Sequence, residues 1–298
     1  KTAYEMLRSL VGSEMCIRDS IKFILRLILP PFLLIFYKKI RGEKNHNTYE
    51  GIYKNFEDVP IVTSYINENT QNDIHNELAA LIMDFEENAY HPEAQIRSQI
   101  TNLLPLLLAL IDKEKISILD FGGSAGQTYI DCISKLRSKK NIDYYIYDLE
   151  ETMKIGREVL SDFKHECSNI NFITNISEIK SFDIVYFGSS LQYVSDYKSI
   201  LLSVITKEPD YIFLTDNYMN KHSTYVTTQV NMPGRKMSCW IFEFDEIVSF
   251  LSKNNYSLIY SSSNFQPFHN FNNFPQKNKV VDTSNLLFKK IRIKDVER

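Results

Sequence analysis

Asp120, Gly122, Gly123 and Gly126 lie within the run ISILDFGGSAG that starts at Ile116, so one carboxylate stands beside three residues without a Cβ. That combination suits a ligand pressed against backbone, because glycine leaves room where a side chain would stand and turns sharply without strain. A second carboxylate, Asp148, follows about 20 residues after the last glycine, the distance at which an acid accepts hydrogen bonds from ribose hydroxyls in nucleotide-binding units. Glu150 is a second candidate for that role. Further on, the run GSSLQYV offers Ser189, Leu191, Gln192 and Tyr193 for contact with a cofactor or an acceptor. Asp216 and His222 are of the types that take a proton from an attacking hydroxyl, and Arg235 with Lys236 would suit an anionic acceptor. Plainer roles stay open for each: a ligand-free turn, a solvated acid at a strand end, serines capping a helix, a charged loop.

These residues need a scaffold that brings strand ends together. Residues 116–121 read as a short strand buried on both faces, as in parallel sheets. Residues 127–137 carry Tyr129, Ile130, Ile133 and Leu136 at helical spacing, so a helix N-terminus with free N–H groups opens at the glycine turn. Residues 142–149 form the next strand, with Asp148 near its end. Helix 151–163, strands 170–174 and 182–187, helix 197–205, strand 211–214, helix 244–251 and strands 257–261 and 286–293 complete the alternation. The last two strands read as a hairpin joined by an Asn-rich loop over 264–278. The pattern predicts an α/β fold over 116–298, a doubly wound, mostly parallel seven-stranded sheet whose ligand sits at the carboxyl edge of the strands. Ahead of it, 49–60 reads as an aromatic connector and 61–115 as a helical cap. In that cap Ile74, Leu78, Leu81, Ile82 and Phe85 share one helix face, Pro92 opens a second helix, and Pro105 kinks or ends it.

The glycine spacing discriminates between nucleotides. A dinucleotide fingerprint G-x-G-x-x-G has its middle glycine where pyrophosphate touches backbone, and that place holds Ser124 counted from Gly122, or Ala125 counted from Gly123. DFGGSAG instead resembles motif I of class I S-adenosylmethionine-dependent methyltransferases, with Gly122 and Gly126 in register and Ser124 replacing the middle glycine. Together with EGIYKNFEDVP, FGSSLQYV and the stretch from LTDNYMNKHSTYVTTQVN to WIFEFDEIVSFL, the chain over roughly 21–263 resembles a family of bacterial methyltransferases associated with lipopolysaccharide and O-antigen gene clusters. The resemblance implies a Rossmann-like class I fold and S-adenosylmethionine as cofactor. It assigns cofactor contacts to Asp120, Gly122, Gly123, Gly126, Asp148, Ser189, Leu191 and Gln192, and it implies an acceptor that is a small molecule, a cell-envelope glycan or the glycan's lipid-linked precursor. Two other readings are carried forward. One is a non-catalytic, membrane-associated scaffold that keeps the fold. The other is a nucleotide-dependent oxidoreductase or epimerase, for which a Tyr-x-x-x-Lys pair is wanted; Tyr193 is followed four positions later by Tyr197.

Composition narrows the classes further. At 298 residues and 44% hydrophobic content the chain can bury a large core. A net charge of -3 and a pI of about 6.1 give no electrostatic case for nucleic acid. Cys16, Cys132, Cys167 and Cys239 are scattered without a C-x-x-C pair or a Cys/His cluster, so neither a disulfide framework nor a metal site is expected, and a reducing cytoplasm fits. Residues 1–20, KTAYEMLRSLVGSEMCIRDS, resemble a translated sequencing-adapter scar, with a genuine N-terminal arm as the alternative. The following apolar stretch 23–37 contains Arg26, is broken by Pro30 and Pro31, and is flanked by Lys22, Lys38, Lys39 and Arg41. It is too short to span a bilayer; over 21–41 it suits peripheral contact with anionic headgroups at the inner membrane, or packing on the protein's own domain or a partner.

Overall fold

The computed structural model describes residues 48–60, 62–63, 67–88, 103–136, 141–163, 168–230, 235–265, 270–280 and 282–292. The expectations for 1–20, for the stretch 21–41 and for Pro92 fall outside them.

Seven strands match the seven expected: β2 (Lys115–Phe121), β3 (Asn141–Tyr147), β4 (Ser168–Phe172), β5 (Ile184–Gly188), β6 (Tyr211–Asn220), β9 (Tyr256–Phe265) and β10 (Asp282–Lys290). They lie in the order β4-β3-β2-β5-β6-β10-β9. The first five pair in parallel, and β10 is antiparallel to both β6 and β9. The seven-stranded, mostly parallel description nevertheless needs correction, because over the described residues the sheet is mixed and has ten strands. β1 (Tyr49–Tyr53), β7 (Tyr225–Gln229) and β8 (Met237–Glu243) extend it, with β7 antiparallel to both β1 and β8. The β1 sequence carries Gly51 and reads as a connector, and β7, YVTTQ, lacks the apolar alternation of a half-buried strand. β7 is buried along its whole length between β1 and β8, whereas β1 is an edge strand with only Tyr49 buried, held by its pairing with β7.

β6 joins the two parts of the sheet. Residues 211–215 pair with β5, and beyond the end of β5 Met219 and Asn220 pair with β8 on the same flank. The strand changes course at Asp216, whose φ is +52°, in a bulge of β6: between the pairs Ser284–Asn217 and Leu286–Leu214 it carries one residue more than β10. Such a bulge re-aims a strand at a barrel rim or a ligand site.

The central strands alternate between two apolar faces. Ile118, Ile184, Tyr186 and Phe213 face α1 (Glu68–Asn88), α2 (Leu103–Leu110), α3 (Gln127–Lys135) and α4 (Glu150–Val159). Leu119, Phe121, Val185, Phe187 and Leu214 face α5 (Tyr197–Ile205) and α6 (Phe244–Lys253). Coverage on both faces is why these strands read as continuous apolar runs. At the edge away from the glycine turn, Lys113 bridges Asp183 and Asp210, and Asp183 accepts the Ser117 N–H at 2.7 Å, so the starts of β2, β5 and β6 are held together. Among the described residues no helix is long and apolar enough to cross a membrane.

Candidate active site

The chain leaves β2 through the glycine turn as the spacing predicts, with φ of +74° at Gly122 and +106° at Gly126. Protein atoms surround two of these glycines closely. A Cβ on Gly122 would lie 2.3 Å from the Cβ of Ser190, and one on Gly123 would lie 2.6 Å from the Asp120 carboxyl carbon. The glycines therefore let the β5 loop and a buried acid approach the turn, as well as exposing backbone to a ligand. Ser124, the departure from the glycine pattern, takes the same left-handed region with φ +52°. Ser124→Gly is accordingly expected to leave thermal unfolding nearly unchanged, whereas the β-branched Ser124→Val should cost about 1–2 kcal/mol in urea denaturation. Equal losses in the two variants would mean that the serine side chain, not the backbone conformation, is what matters there.

Hydrogen bonds within the protein already occupy much of the turn. The Gly122 N–H donates to the Tyr147 carbonyl at 2.8 Å, that of Gly126 to the Gly123 carbonyl at 3.1 Å, and that of Ala125 to Gln127 Oε1 at 3.2 Å. The Ser124 N–H donates to Asp148 Oδ2 at 2.6 Å, and the other carboxylate oxygen accepts the Leu149 N–H at 2.5 Å. Burial raises the Asp148 pKa, and these two donors only partly offset it. Asp120 lies beneath the turn on the α3 face of the sheet, 1% exposed, and accepts the Tyr144 hydroxyl at 2.7 Å. Its burial pushes its pKa up to about 7, the Tyr144 bond opposing and the nearby Asp148 charge reinforcing the shift.

Above the turn is a cleft of about 750 Å³, within the range of small-molecule sites. One wall comes from the strand ends and the turn: Phe121, Gly122 and Ser124, then Tyr147, Asp148 and Leu149, then Gly188, Ser189 and Ser190. The rest of the lining, an outer wall, comes from Phe56, Val62, Thr63, Tyr193, Val194, Met237 and Ser238. Ser190 ties two strand ends together by donating its hydroxyl to the Phe121 carbonyl.

The expected residues divide clearly. Gly122, Asp148, Ser189 and Tyr193 line the cleft, whereas Asp120, Gly123, Gly126, Leu191 and Gln192 stand behind the lining. Leu191 is a core residue packed with the α5 and α6 face. Gln192 is fully buried, and its amide nitrogen donates to the Ser189 carbonyl at 3.0 Å and hydroxyl at 2.9 Å, so it fixes the loop in which Ser189 has φ +55°. Neither Asp216 nor His222 reaches the cleft lining. Asp216 Oδ1 accepts from Asn264 at 3.2 Å and Thr283 at 3.0 Å, which brackets the bend of β6 to β9 and β10. His222 is exposed in the turn after β6, its backbone N–H bonded to Asn220 Oδ1. Apart from Tyr193, sequence reasoning missed the outer wall. The aromatic and β-branched content of 49–53 and 237–243 was the available signal, since those strands position Phe56, Met237 and Ser238.

No protein-family model matches this chain, and no curated protein matches it. Solved structures resemble it at low identity. A methyltransferase from Methanosarcina mazei, described as SAM-dependent, is 12% identical over 63% of this chain and 97% of its own, with a TM-score of 0.46. A 1,6-didemethyltoxoflavin N1-methyltransferase from Burkholderia thailandensis, crystallised with its substrate and S-adenosylhomocysteine, is 12% identical over 78% of this chain and 94% of its own, also at 0.46. Magnesium protoporphyrin IX methyltransferase from Synechocystis is 11% identical over 77% and 100%, at 0.45. Similarity at this level assigns nothing to the present chain.

Proposed function

We propose that the protein is an S-adenosylmethionine-dependent methyltransferase of the class I type. The observation that carries the reading is the Asp148 carboxylate bonded to the middle of a glycine turn whose N–H groups at 122, 124, 125 and 126 are already engaged. A pyrophosphate needs such N–H groups free and is repelled by a carboxylate at that place. A nucleoside without phosphates, whose ribose hydroxyls donate and which carries a positive charge, fits a site that offers the Asp148 carboxylate as acceptor. The order β4-β3-β2-β5-β6-β10-β9, with its antiparallel β10, agrees with the methyltransferase plan rather than with a dehydrogenase.

In this reading Asp148 accepts from the ribose hydroxyls, Gly122 and Ser189 let the ligand approach backbone, and Phe121, Tyr147 and Leu149 shield the adenosine from water. The bound cofactor would supply an activated methyl group on a sulfonium. The protein's part is then alignment and exclusion of water, which together account for much of the barrier reduction in such displacements. A cell-envelope glycan as acceptor rests on the resemblance alone, and membrane contact through 21–41 on its basic and apolar sequence alone.

Isothermal calorimetry tests the assignment. S-adenosylhomocysteine should bind with a Kd on the order of micromolar, and Asp148→Ala should weaken it by about tenfold or more, roughly 1.4 kcal/mol. Absence of binding, equal binding by a folded Asp148→Ala variant, or tighter binding of NAD would overturn it.

A further inference from the structure

We infer that the outer wall of the cleft is a subsite for an uncharged, flat ring compound rather than for a sugar; this rests on the cofactor reading, which places the nucleoside at the strand ends. The subsite is bounded by Phe56, Val62, Tyr193, Val194 and Met237, and among the described residues no charged side chain lines it. Its surface is apolar and open, with Val62 56% exposed. It is also rigid. The Phe56 ring lies 5.5 Å from Trp240, whose indole N–H donates to the Val194 carbonyl at 2.9 Å, and Trp240 meets Tyr197 edge-on at 5.4 Å. Rigid aromatic walls favour flat ligands, each ring pair adding about 0.5–1.5 kcal/mol beyond area burial.

Apart from that of Ser238, the side-chain hydroxyls around this part of the cleft are engaged by the protein. The Thr63 hydroxyl accepts the Lys236 N–H at 2.8 Å, while the Thr63 N–H donates to the Lys236 carbonyl at 2.8 Å, fastening the 62–63 segment to the start of β8. The Tyr193 hydroxyl donates to Gln229 Oε1 at 2.7 Å, and the Ser189 hydroxyl accepts from Gln192. A sugar has a hydroxyl on nearly every carbon. Against such a wall each one left unpaired costs about 1–3 kcal/mol, whereas an aromatic ring has little polar surface to desolvate.

Fluorescence titration of the full chain, with and without saturating S-adenosylhomocysteine, uses the neutral probe N-phenyl-1-naphthylamine and, as competitors, 1-naphthol and UDP-glucose. The probe should brighten on binding the loaded protein and be displaced by 1-naphthol but not by UDP-glucose. Phe56→Ala and Met237→Ala should each weaken the probe by about tenfold while calorimetric affinity for S-adenosylhomocysteine stays within about twofold. Cofactor binding without a probe signal, displacement by UDP-glucose, or unchanged probe affinity in both variants overturns the ring subsite alone. Absence of S-adenosylhomocysteine binding removes the cofactor reading and this inference with it.

Discussion

Replacing Gly156 by alanine is expected to destabilise the protein by about 2 kcal/mol, although alanine is the better helix former by about 1 kcal/mol. Gly156 lies inside α4, where a Cβ would stand 2.5 Å from the Ala125 carbonyl oxygen and 2.5 Å from the Phe172 ring. The carbonyl belongs to the glycine turn and cannot rotate aside like the end of a flexible side chain. Overpacking of this kind typically costs 1–3 kcal/mol, so the clash outweighs the gain in helix propensity. Gly156→Val adds two more carbons in the same place and should cost about 3 kcal/mol or more, pushing the backbone between Ser124 and Gly126 and weakening cofactor binding as well. Urea unfolding with unchanged m-value reads the stability term directly. A midpoint that rises in Gly156→Ala would show that α4 can draw back from the turn at no cost.

Gly156 also marks where sequence legibility ends. The turn itself was readable, because three glycines after a buried strand and an acid at the end of the next strand are local signals, and Gly122 and Asp148 do line the cleft. The seven strands of the main sheet were readable for the same reason: burial on both faces leaves unbroken apolar runs. β1 was not, since its partner lies far away in sequence, Tyr49 pairing with Gln229; β7 and β8 pair with each other close in sequence, Gln229 with Met237, but YVTTQ lacks the apolar alternation of a half-buried strand. With those strands went the outer wall of the cleft. Asp216 shows the converse failure. Its position after the fifth strand of the main sheet suggested chemistry, yet its left-handed backbone and its bonds to Asn264 and Thr283 make it the corner at which β6 turns toward β8. Residue type and strand-end position cannot distinguish a base from a bend, because the deciding contacts come from β9 and β10.

Asp120 should make both stability and cofactor affinity depend on pH in the neutral range, and Asp120→Asn should remove that dependence. Burial raises its pKa from 3.8 to about 7 in the folded protein. Folded chains therefore hold the proton more tightly than unfolded ones, and stability is lost as pH rises from about 4 to about 7, by a total on the order of 4 kcal/mol. Asparagine keeps an acceptor for the Tyr144 hydroxyl and carries no charge, so the variant should gain on the wild type at pH 8 and converge with it near pH 4. Ligand affinity runs the other way. A cation bound above the turn favours the ionised carboxylate, so S-adenosylmethionine should bind the wild type more tightly as pH rises through 7. Asp148, whose pKa burial also raises, contributes a dependence of the same sign, and comparison with Asp120→Asn isolates the share that belongs to Asp120. Denaturation and calorimetry at pH 5, 6, 7 and 8 supply both curves. If the stability difference between variant and wild type is flat across that range, Asp120 is ionised throughout, and the bond from Tyr144 outweighs burial at the base of the turn.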